Sequence, residues 1–339
     1  MPILLGIEST CDETAAAVVI DGYDVRSNII SSQVDLHARF GGVVPEIASR
    51  AHIEKIIPVI AEALDAANSK LSEIDAIAVA HRPGLIGSLL IGVTAAKTLA
   101  WATGKPLIGV DHVHAHLYSV VLETNIQPPM PAVGLVCSGG HTALYQINSW
   151  SDITLIGSTI DDAVGEAYDK VAAILGLGYP GGPIVDRLAQ EGNGKAIRFP
   201  RSLLGRDSLD FSFSGLKTAV LYHVRGVPGR RAKPADYSPS DLPDVAASFQ
   251  SACVDTIIEK LKRAARRTKA RSILVGGGVS ANQALRHALG TLPLPAFVPP
   301  LKYCMDNAAM SAGLAHITYE NAAFSDLGLD AITFSQFRR

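Results

Sequence analysis

Cysteine is scarce in this chain: four residues in 339, at Cys11, Cys137, Cys253 and Cys304, none of them in a CxxC pair. That argues against a disulfide scaffold and for free thiols in a reducing compartment. Charge is also thin, at 18% Asp, Glu, Lys and Arg, with a formal net charge of −2. Beside 48% apolar residues, this excludes a disordered chain. It also excludes nucleic-acid binding by bulk attraction, so any such contact needs a local basic patch. No basic n-region precedes the first apolar run, and no apolar run is read as reaching the ~18 residues of a membrane span. The expectation is a soluble, cytoplasmic protein without membrane contact.

What is present is length and patterned apolar sequence. At 339 residues the chain is about twice the size of one ordinary domain, so two lobes are expected. Residues 3–8 read as a strand; the polar stretch Ser9-Thr10-Cys11-Asp12-Glu13-Thr14 and the apolar run 15–20 complete a hairpin with a charged tip. The plan returns at 132–147: strand 132–136, the loop Cys137-Ser138-Gly139-Gly140-His141-Thr142, then strand 143–147. A shift of 128 positions lays Gly6 on Gly134 and Thr14 on Thr142, which points to a duplicated core. Helices are expected near 46–67, 87–102, 163–175, 183–191 and 243–267, with further strands at 74–80, 106–110 and 272–276. Helices mixed with strands in both halves argue for α/β lobes facing each other across a cleft. Residues 224–240, rich in Arg, Gly and Pro, read as a mobile surface loop.

The first chemical constellation is a histidine pair. Asp111 closes a strand and can N-cap a helix over 113–122. On that helix His112 and His116 are i and i+4, so both imidazoles can bite one metal ion; a plain polar helix start is the competing reading. Val113 stands where HExxH would place its glutamate, which argues against a zincin protease. Asp306 opens a helix over 307–319 and is either its cap or, if the chain folds back onto the histidines, a third ligand. Two histidines and one carboxylate leave open positions for substrate, as a catalytic metal requires.

The second constellation is a set of glycine turns. Ser138-Gly139-Gly140 sits at a hairpin tip, where N–H groups can face an anion or simply close a tight turn. Gly276-Gly277-Gly278-Val279-Ser280-Ala281-Asn282 leads from a buried strand into a helix, where phosphate or ribose can sit; it is not GxGxxG, so no dinucleotide fold is indicated. Gly181-Gly182-Pro183 opens another helix, with Asp186 in its first turn. Asp162, Glu166 and Asp169 read as one helix face, either solvated or binding hydroxyls. The run from Phe211 to Thr218 ends like a phosphate loop but lacks its glycine spacing. Arg225, Arg230, Arg231 and Lys233 crowd one loop; Lys260, Lys262, Arg263, Arg266, Arg267, Lys269 and Arg271 crowd one helix end. These are either solvated faces or a footprint for a phosphate backbone.

Taken in order, the motifs form a set: Glu8-Ser-Thr-Cys-Asp12-Glu13-Thr14, Gly41 to Arg50, Pro83-Gly-Leu-Ile-Gly-Ser-Leu89, the His112/His116 pair, Ser138-Gly-Gly-His-Thr142, Asp161 to Lys170, Tyr179-Pro-Gly-Gly-Pro183, Asp210 to Thr218, Gly277-Gly-Val-Ser-Ala-Asn282 and Asp306-Asn307. This set resembles the universal family of tRNA threonylcarbamoyladenosine synthesis, the TsaD family, formerly described as O-sialoglycoprotein endopeptidases. The resemblance runs to about residue 328. It implies an α/β, two-lobed actin/Hsp70/sugar-kinase fold made of two RNase-H-like lobes. The N-terminal lobe would be 1–112, with a C-terminal helix at about 306–325 packing back on it, and the C-terminal lobe 113–305. It implies a cytoplasmic acyltransferase that moves the threonylcarbamoyl group from threonylcarbamoyl-adenylate to the N6 amine of the adenosine 3′ of the anticodon, in tRNAs reading ANN codons. The product is t6A, and AMP leaves.

The same resemblance implies one divalent metal per subunit, Fe(2+) or Zn(2+), on His112, His116 and Asp306. It assigns the adenylate to Val136, Cys137, Ser138, Gly139, Gly140, Asp169, Gly182, Asp186 and Asn282. Asp12 or Glu13 would take the proton from the attacking amine. The implied partners are tRNA, a smaller paralogous subunit and a P-loop ATPase. The chain departs from the family pattern at Arg82, where Gly is usual, and at His114, where Glu is usual. Met305 and Ala308 replace the usual Thr and Gly beside Asp306. Rival readings are a metallopeptidase, a small-molecule kinase on the same fold, and a non-catalytic scaffold, which would have no need of the intact triad.

Overall fold

The computed structural model describes residues 1–205, 207–226 and 241–334. The chain divides into two compact units, one built from Met1–Pro128, Asn148–Ile153 and Val298 onward, the other from Pro129–Ile147 and Thr154–Phe297. In chain order the first unit contributes β1 (Ile3–Glu8), β2 (Glu13–Ile20), β3 (Asp24–Ser32), α1 (Val34–Ala38), α2 (Pro45–Ala66), β4 (Ala76–Arg82), α3 (Ile86–Thr103), β5 (Leu107–Asp111) and α4 (His112–Tyr118). Then follow β6 (Ala132–Cys137), β7 (Thr142–Ser149), β8 (Asp152–Ser158), α5 (Val164–Ile174), α6 (Gly181–Ala189), α7 (Ser214–Arg225), α8 (Leu242–Thr268), β9 (Ser272–Gly276), α9 (Gln283–Leu289) and β10 (Ala296–Phe297). The last helix, α10 (Ala308–Glu320), returns to the first unit.

The two sheets repeat one plan. Strand order is β3-β2-β1-β4-β5 in one and β8-β7-β6-β9-β10 in the other. In each, an antiparallel hairpin is extended by two parallel strands. The 128-residue shift read from the sequence is true to register: Leu4 pairs with Val19 and Ala76, and Ala132 pairs with Ile147 and Ser272. A one-residue error would have turned every side chain to the opposite face.

In the first unit both faces of the sheet are covered, so β1 and β2 are apolar almost throughout. Leu5, Ile7, Ala16 and Val18 pack with Ile56, Val59 and Ile60 of α2 and Leu89, Val93 and Ala96 of α3. The alternate residue Gly6 faces α10, where any Cβ would run into the Ala308 carbonyl and the Ala312 methyl. That close approach seats the start of α10, and with it Asp306, against the end of β1.

One sequence reading needs correction here. Helix α3 spans 18 residues with a mean hydropathy of 1.3, so by length and composition it is apolar enough to cross a membrane. Its inner side belongs to the core just described. Its outer side is apolar too, with Ile86, Leu90 and Trp101 exposed.

Candidate metal centre and nucleotide-binding turns

In the first unit, the parallel strands β1, β4 and β5 end on the same side, the edge at which open α/β sheets present their loops to ligands. β5 ends at Asp111, whose side chain accepts from Val113 N (3.0 Å) and His114 N (3.3 Å) and so caps α4. The cap starts the helix where His112 and His116 share a face; their ring centroids lie 4.6 Å apart at 78°. On α10 the cap is Asn307, which accepts from Met310 N at 3.0 Å. The cap of α10 is thus Asn307 and not Asp306. The Asp306 Oδ1 lies 3.1 Å from His116 Nε2 and 3.6 Å from His112 Nε2. All three ligand atoms fall within 4.8 Å of one another, so the three residues can hold one metal ion.

The donor set suits an ion. Two imidazole nitrogens and a carboxylate oxygen converge, and the far nitrogen of His112, Nδ1, faces the buried Glu8 carboxylate at 3.1 Å. Burial pulls the His112 imidazolium down, but the Glu8 and Asp306 carboxylates outweigh it and hold its pKa up at about 9. At His116 burial wins and the pKa is pushed down, so that ring is neutral and ready to ligate.

In the second unit, β6 ends at Cys137 and its parallel neighbour β9 at Gly276. Gly277 then turns with φ +88° and ψ 163°, and a Cβ there would fall 2.5 Å from the Cys137 carbonyl oxygen. Only glycine closes that turn. The Ser138 carbonyl accepts from Gly165 N at the start of α5 (3.2 Å), which fixes the next turn. Gly139 and Gly140 are exposed, with nothing within 4 Å of their Cβ positions.

Asn282 caps α9 by accepting from Leu285 N (2.9 Å), while its amide donates to Asp186 Oδ1 (3.0 Å) and Gln250 Oε1 (2.7 Å). The structure thus joins Asn282 and Asp186. It moves Asp186 from the expected first turn of α6 to the second, because the helix already begins at Gly181. The reason is Asp169, whose carboxylate accepts from Gly181 N at 2.7 Å and also from Gly182 N. Burial raises the Asp169 pKa against those two donors.

A family profile of TsaD, tRNA N6-adenosine threonylcarbamoyltransferase, matches residues 24–313. The chain belongs to this family. It is 52% identical over 338 residues to the tRNA N6-adenosine threonylcarbamoyltransferase of Moorella thermoacetica, a match covering 97% of this chain and 95% of that one. The Trichlorobacter lovleyi protein of the same name is 49% identical over 333 residues, with 97% and 95% covered. Among solved structures, HypF of T. kodakarensis matches with a TM-score of 0.62 at 15% identity, over 97% of this chain and 49% of that one. Component A of Acidaminococcus fermentans (R)-2-hydroxyglutaryl-CoA dehydratase matches at 0.56 and 14% identity, over 95% and 100%. Identities this low speak for the fold alone, and they bear out the actin/Hsp70/sugar-kinase class.

Of the two acids at the first hairpin tip, Glu13 lies in the interior. Glu13 opens β2, is buried, and accepts from Ser32 Oγ at 3.1 Å. Burial first, then the charges of Asp306 and Asp12, push its pKa up to about 9, so it is protonated at neutral pH. Arg82, one departure from the TsaD pattern, donates to Asp111 Oδ2 at 3.2 Å and braces the residue that caps α4. Burial pushes the pKa of His114, the other departure, down.

Three readings outside the metal centre change. Asp162 does not share a helix face with Glu166 and Asp169; it precedes α5 and pairs with Lys170 (2.7 Å) and Lys217 (2.8 Å). Residues 224–225, read as loop, end helix α7. The basic cluster on α8 loses Lys260, which is fully buried and donates to Leu203 O (2.8 Å) and Ser208 O (2.7 Å). Arg263 is likewise turned inward to Gly205 O at 2.7 Å, leaving Lys262, Arg266, Arg267, Lys269 and Arg271 exposed. Arg225 is exposed; Arg230, Arg231 and Lys233 lie outside the described residues. The sequence reading quoted Glu8 only as the first residue of a motif and gave it no role, and it passed over Gln250; a lone carboxylate closing the apolar run of β1 was the available signal for the first.

Lys260 carries a pH signature. Burial, then the nearby Arg263 charge, lowers its pKa to about 8. Between that value and the ordinary pKa near 10.4, the unfolded chain binds the extra proton, so stability rises with pH across this window. The gain is expected to be about 2–3 kcal/mol by pH 10.5 relative to pH 8. Urea melts of the parent and Lys260→Met at both pH values check it: the difference between the two proteins must carry that slope, and equal slopes sink the assignment.

Proposed function

We propose that this protein transfers the threonylcarbamoyl group of threonylcarbamoyl-adenylate to the N6 amine of the adenosine 3′ of the anticodon in tRNAs reading ANN codons, forming t6A and releasing AMP in the cytoplasm. The observation that carries the reading is the convergence of His112, His116 and Asp306 in a chain of the TsaD family. Those three residues would hold one divalent metal, Fe(2+) or Zn(2+), which when bound polarises the carbamoyl carbonyl as a Lewis acid.

The adenylate is assigned to Val136–Gly140, Asp169, Gly182, Asp186 and Asn282. The exposed, uncrowded turn at Gly139 and Gly140 suits its phosphate, and the Asp186–Asn282 pair suits its ribose hydroxyls. Because the leaving group is already activated, the protein's work is positioning. Asp12 is assigned the proton of the attacking amine, since Glu13 carries its own at neutral pH. The test is single-turnover transfer from preformed adenylate to a tRNA transcript by the purified, metal-loaded protein with its partners. Absence of modified adenosine, with the adenylate intact, would reject the reading.

The partner reading, a smaller paralogous subunit with a P-loop ATPase, has support on the surface of the first unit. Ile53 and Ile57 of α2 and Ile86 and Leu90 of α3 stand exposed, each pair one turn apart on its helix. Adjacent exposed aliphatic residues on packed helices mark a docking face. Ile57→Glu is expected to weaken the complex with the smaller paralogue about 10- to 100-fold while leaving Tm within a few degrees. Calorimetric titration decides it; unchanged affinity moves the partner elsewhere.

A further inference from the structure

We propose that Glu8 is a positioning residue for the metal centre: it fixes the tautomer of His112 so that Nε2 is the atom offered to the ion. The inference rests on the reading of His112, His116 and Asp306 as a metal site, and it concerns a residue outside that triad.

Glu8 ends β1 and its side chain is fully buried. Its two oxygens collect three neighbours. Oε1 accepts from Thr10 N at 2.9 Å, Oε2 lies 3.1 Å from His112 Nδ1, and Ser311 Oγ donates to the same oxygen at 3.3 Å. Three segments around the candidate ligands are therefore touched by this one carboxylate: α4 through His112, α10 through Ser311, and the acidic hairpin tip through Thr10. A carboxylate only accepts, so His112 must keep a hydrogen on Nδ1, which makes Nε2, on the Asp306 side, the nitrogen that gives up its proton to a metal ion. Among the described residues the other polar contact to Nδ1 is Thr10 Oγ1 at 3.3 Å, which accepts equally well from the same N–H. His116 has no such support: its Nδ1 is buried without a hydrogen-bond partner among the described residues. The centre is thus asymmetric, with one histidine oriented from behind and the other held only by the ligand side.

Glu8→Gln separates orientation from packing. The amide has the same shape, but it offers one acceptor and one donor where two acceptors stood. If its oxygen keeps Thr10 N–H, its NH2 faces His112 Nδ1 and asks that nitrogen to accept, which moves the ring hydrogen onto Nε2. If the amide flips, its NH2 opposes Thr10 N–H instead. The first arrangement disfavours the ligating tautomer, the second keeps it only by setting two N–H donors against each other at Thr10, and neither opens a cavity.

The experiment is zinc affinity of the purified full chain by competition with a chromophoric chelator. Alongside it run the Tm of the metal-free protein and AMP affinity, which reports on the second unit. The expected result for Glu8→Gln is a 10- to 100-fold weaker zinc affinity. Tm is expected within a few degrees of the parent, and AMP affinity unchanged. Zinc affinity within about twofold of the parent overturns the proposal, as does parallel loss of zinc and AMP binding, which marks a structural role. If the variant fails to fold, side-chain 15N spectra of histidine-labelled, zinc-loaded parent decide instead. Nδ1–H with a metal-bound Nε2 at His112 supports the proposal, and metal on Nδ1 overturns it. A parent that binds no zinc or other divalent ion sinks the metal reading itself, and the role of Glu8 with it.

Discussion

Asp306→Ala is expected to lower kcat/KM for threonylcarbamoyl transfer by about 10³-fold or more and to leave the purified protein without stoichiometric metal, with little change in its metal-free stability. The reasoning is specific to where Asp306 sits. It is not the cap of α10, since Asn307 makes that bond, so its removal leaves that cap in place. Its side chain is 20% exposed, so truncation opens no sealed cavity. What it takes away is the only carboxylate among the three candidate ligands, which leaves two imidazoles to hold a divalent ion. Polarisation of a carbonyl by a bound ion supplies several kcal/mol of barrier, and 10³-fold corresponds to about 4 kcal/mol. Metal content by elemental analysis and single-turnover transfer are the two readouts. The parent stripped by a chelator should fall equally far and recover on adding metal; the variant should not recover. Activity within tenfold of the parent in a metal-free variant would show that the ion takes no part in the step.

The histidine pair was legible because its whole local logic is contiguous: a strand, a capping aspartate, and two rings four residues apart. The duplicated hairpin was legible because apolar strands buried on both faces leave a strong, short signal. The third strand of each sheet was not. β3 carries Asp24, Arg26, Ser27, Asn28, Ser31 and Ser32 and is held by its pairing with β2 rather than by burial, so periodicity is faint. β8 is the corresponding edge strand and is just as weakly patterned. Helix α7 was missed because its start is organised from afar, by Asp161 accepting from Phe213 N at 2.8 Å and from the Ser212 and Ser214 hydroxyls.

Helix starts decided the other differences. Asp306 and Asn307 are adjacent and equally good caps on paper, and only the fold shows which one is used. Asp162 and Asp186 shifted register because α5 begins at Val164 and α6 at Gly181. The second boundary is set by Asp169, twelve residues upstream of the amide it fills. Lys260 shows the same limit in the core. Nothing local distinguishes it from Lys262, yet it lies among carbonyls more than fifty residues distant, and a count of basic residues along α8 overstates the charge that faces water. Sequence reading saw which residues could do chemistry; long-range capping and burial decided which of them are free to do it.

Gly277→Ala should be the most damaging single methyl that can be added to the glycine turns at the ends of β6 and β9. With φ +88° and ψ 163° the residue sits in a backbone region that is essentially glycine's alone, at a cost of about 1–3 kcal/mol for any side chain. The added Cβ would also lie 2.5 Å from the Cys137 carbonyl oxygen, which belongs to the end of β6 and cannot yield without moving the strand. Overpacking of that kind costs a further 1–3 kcal/mol or so, and the expected loss is about 3 kcal/mol. Gly139→Ala is the matched control, the same methyl in the neighbouring turn, where nothing lies within 4 Å. It should change stability by less than about 0.5 kcal/mol. If the Gly139 amide faces the adenylate phosphate, it should nonetheless weaken AMP binding. Urea unfolding and AMP titration of both variants separate the two roles, because one glycine is required by the chain's own geometry and the other by room for a ligand. A Gly277→Ala protein as stable as its parent would mean that the turn after β9 does not have this conformation, and the placement of Asn282 at its far end would lose its footing.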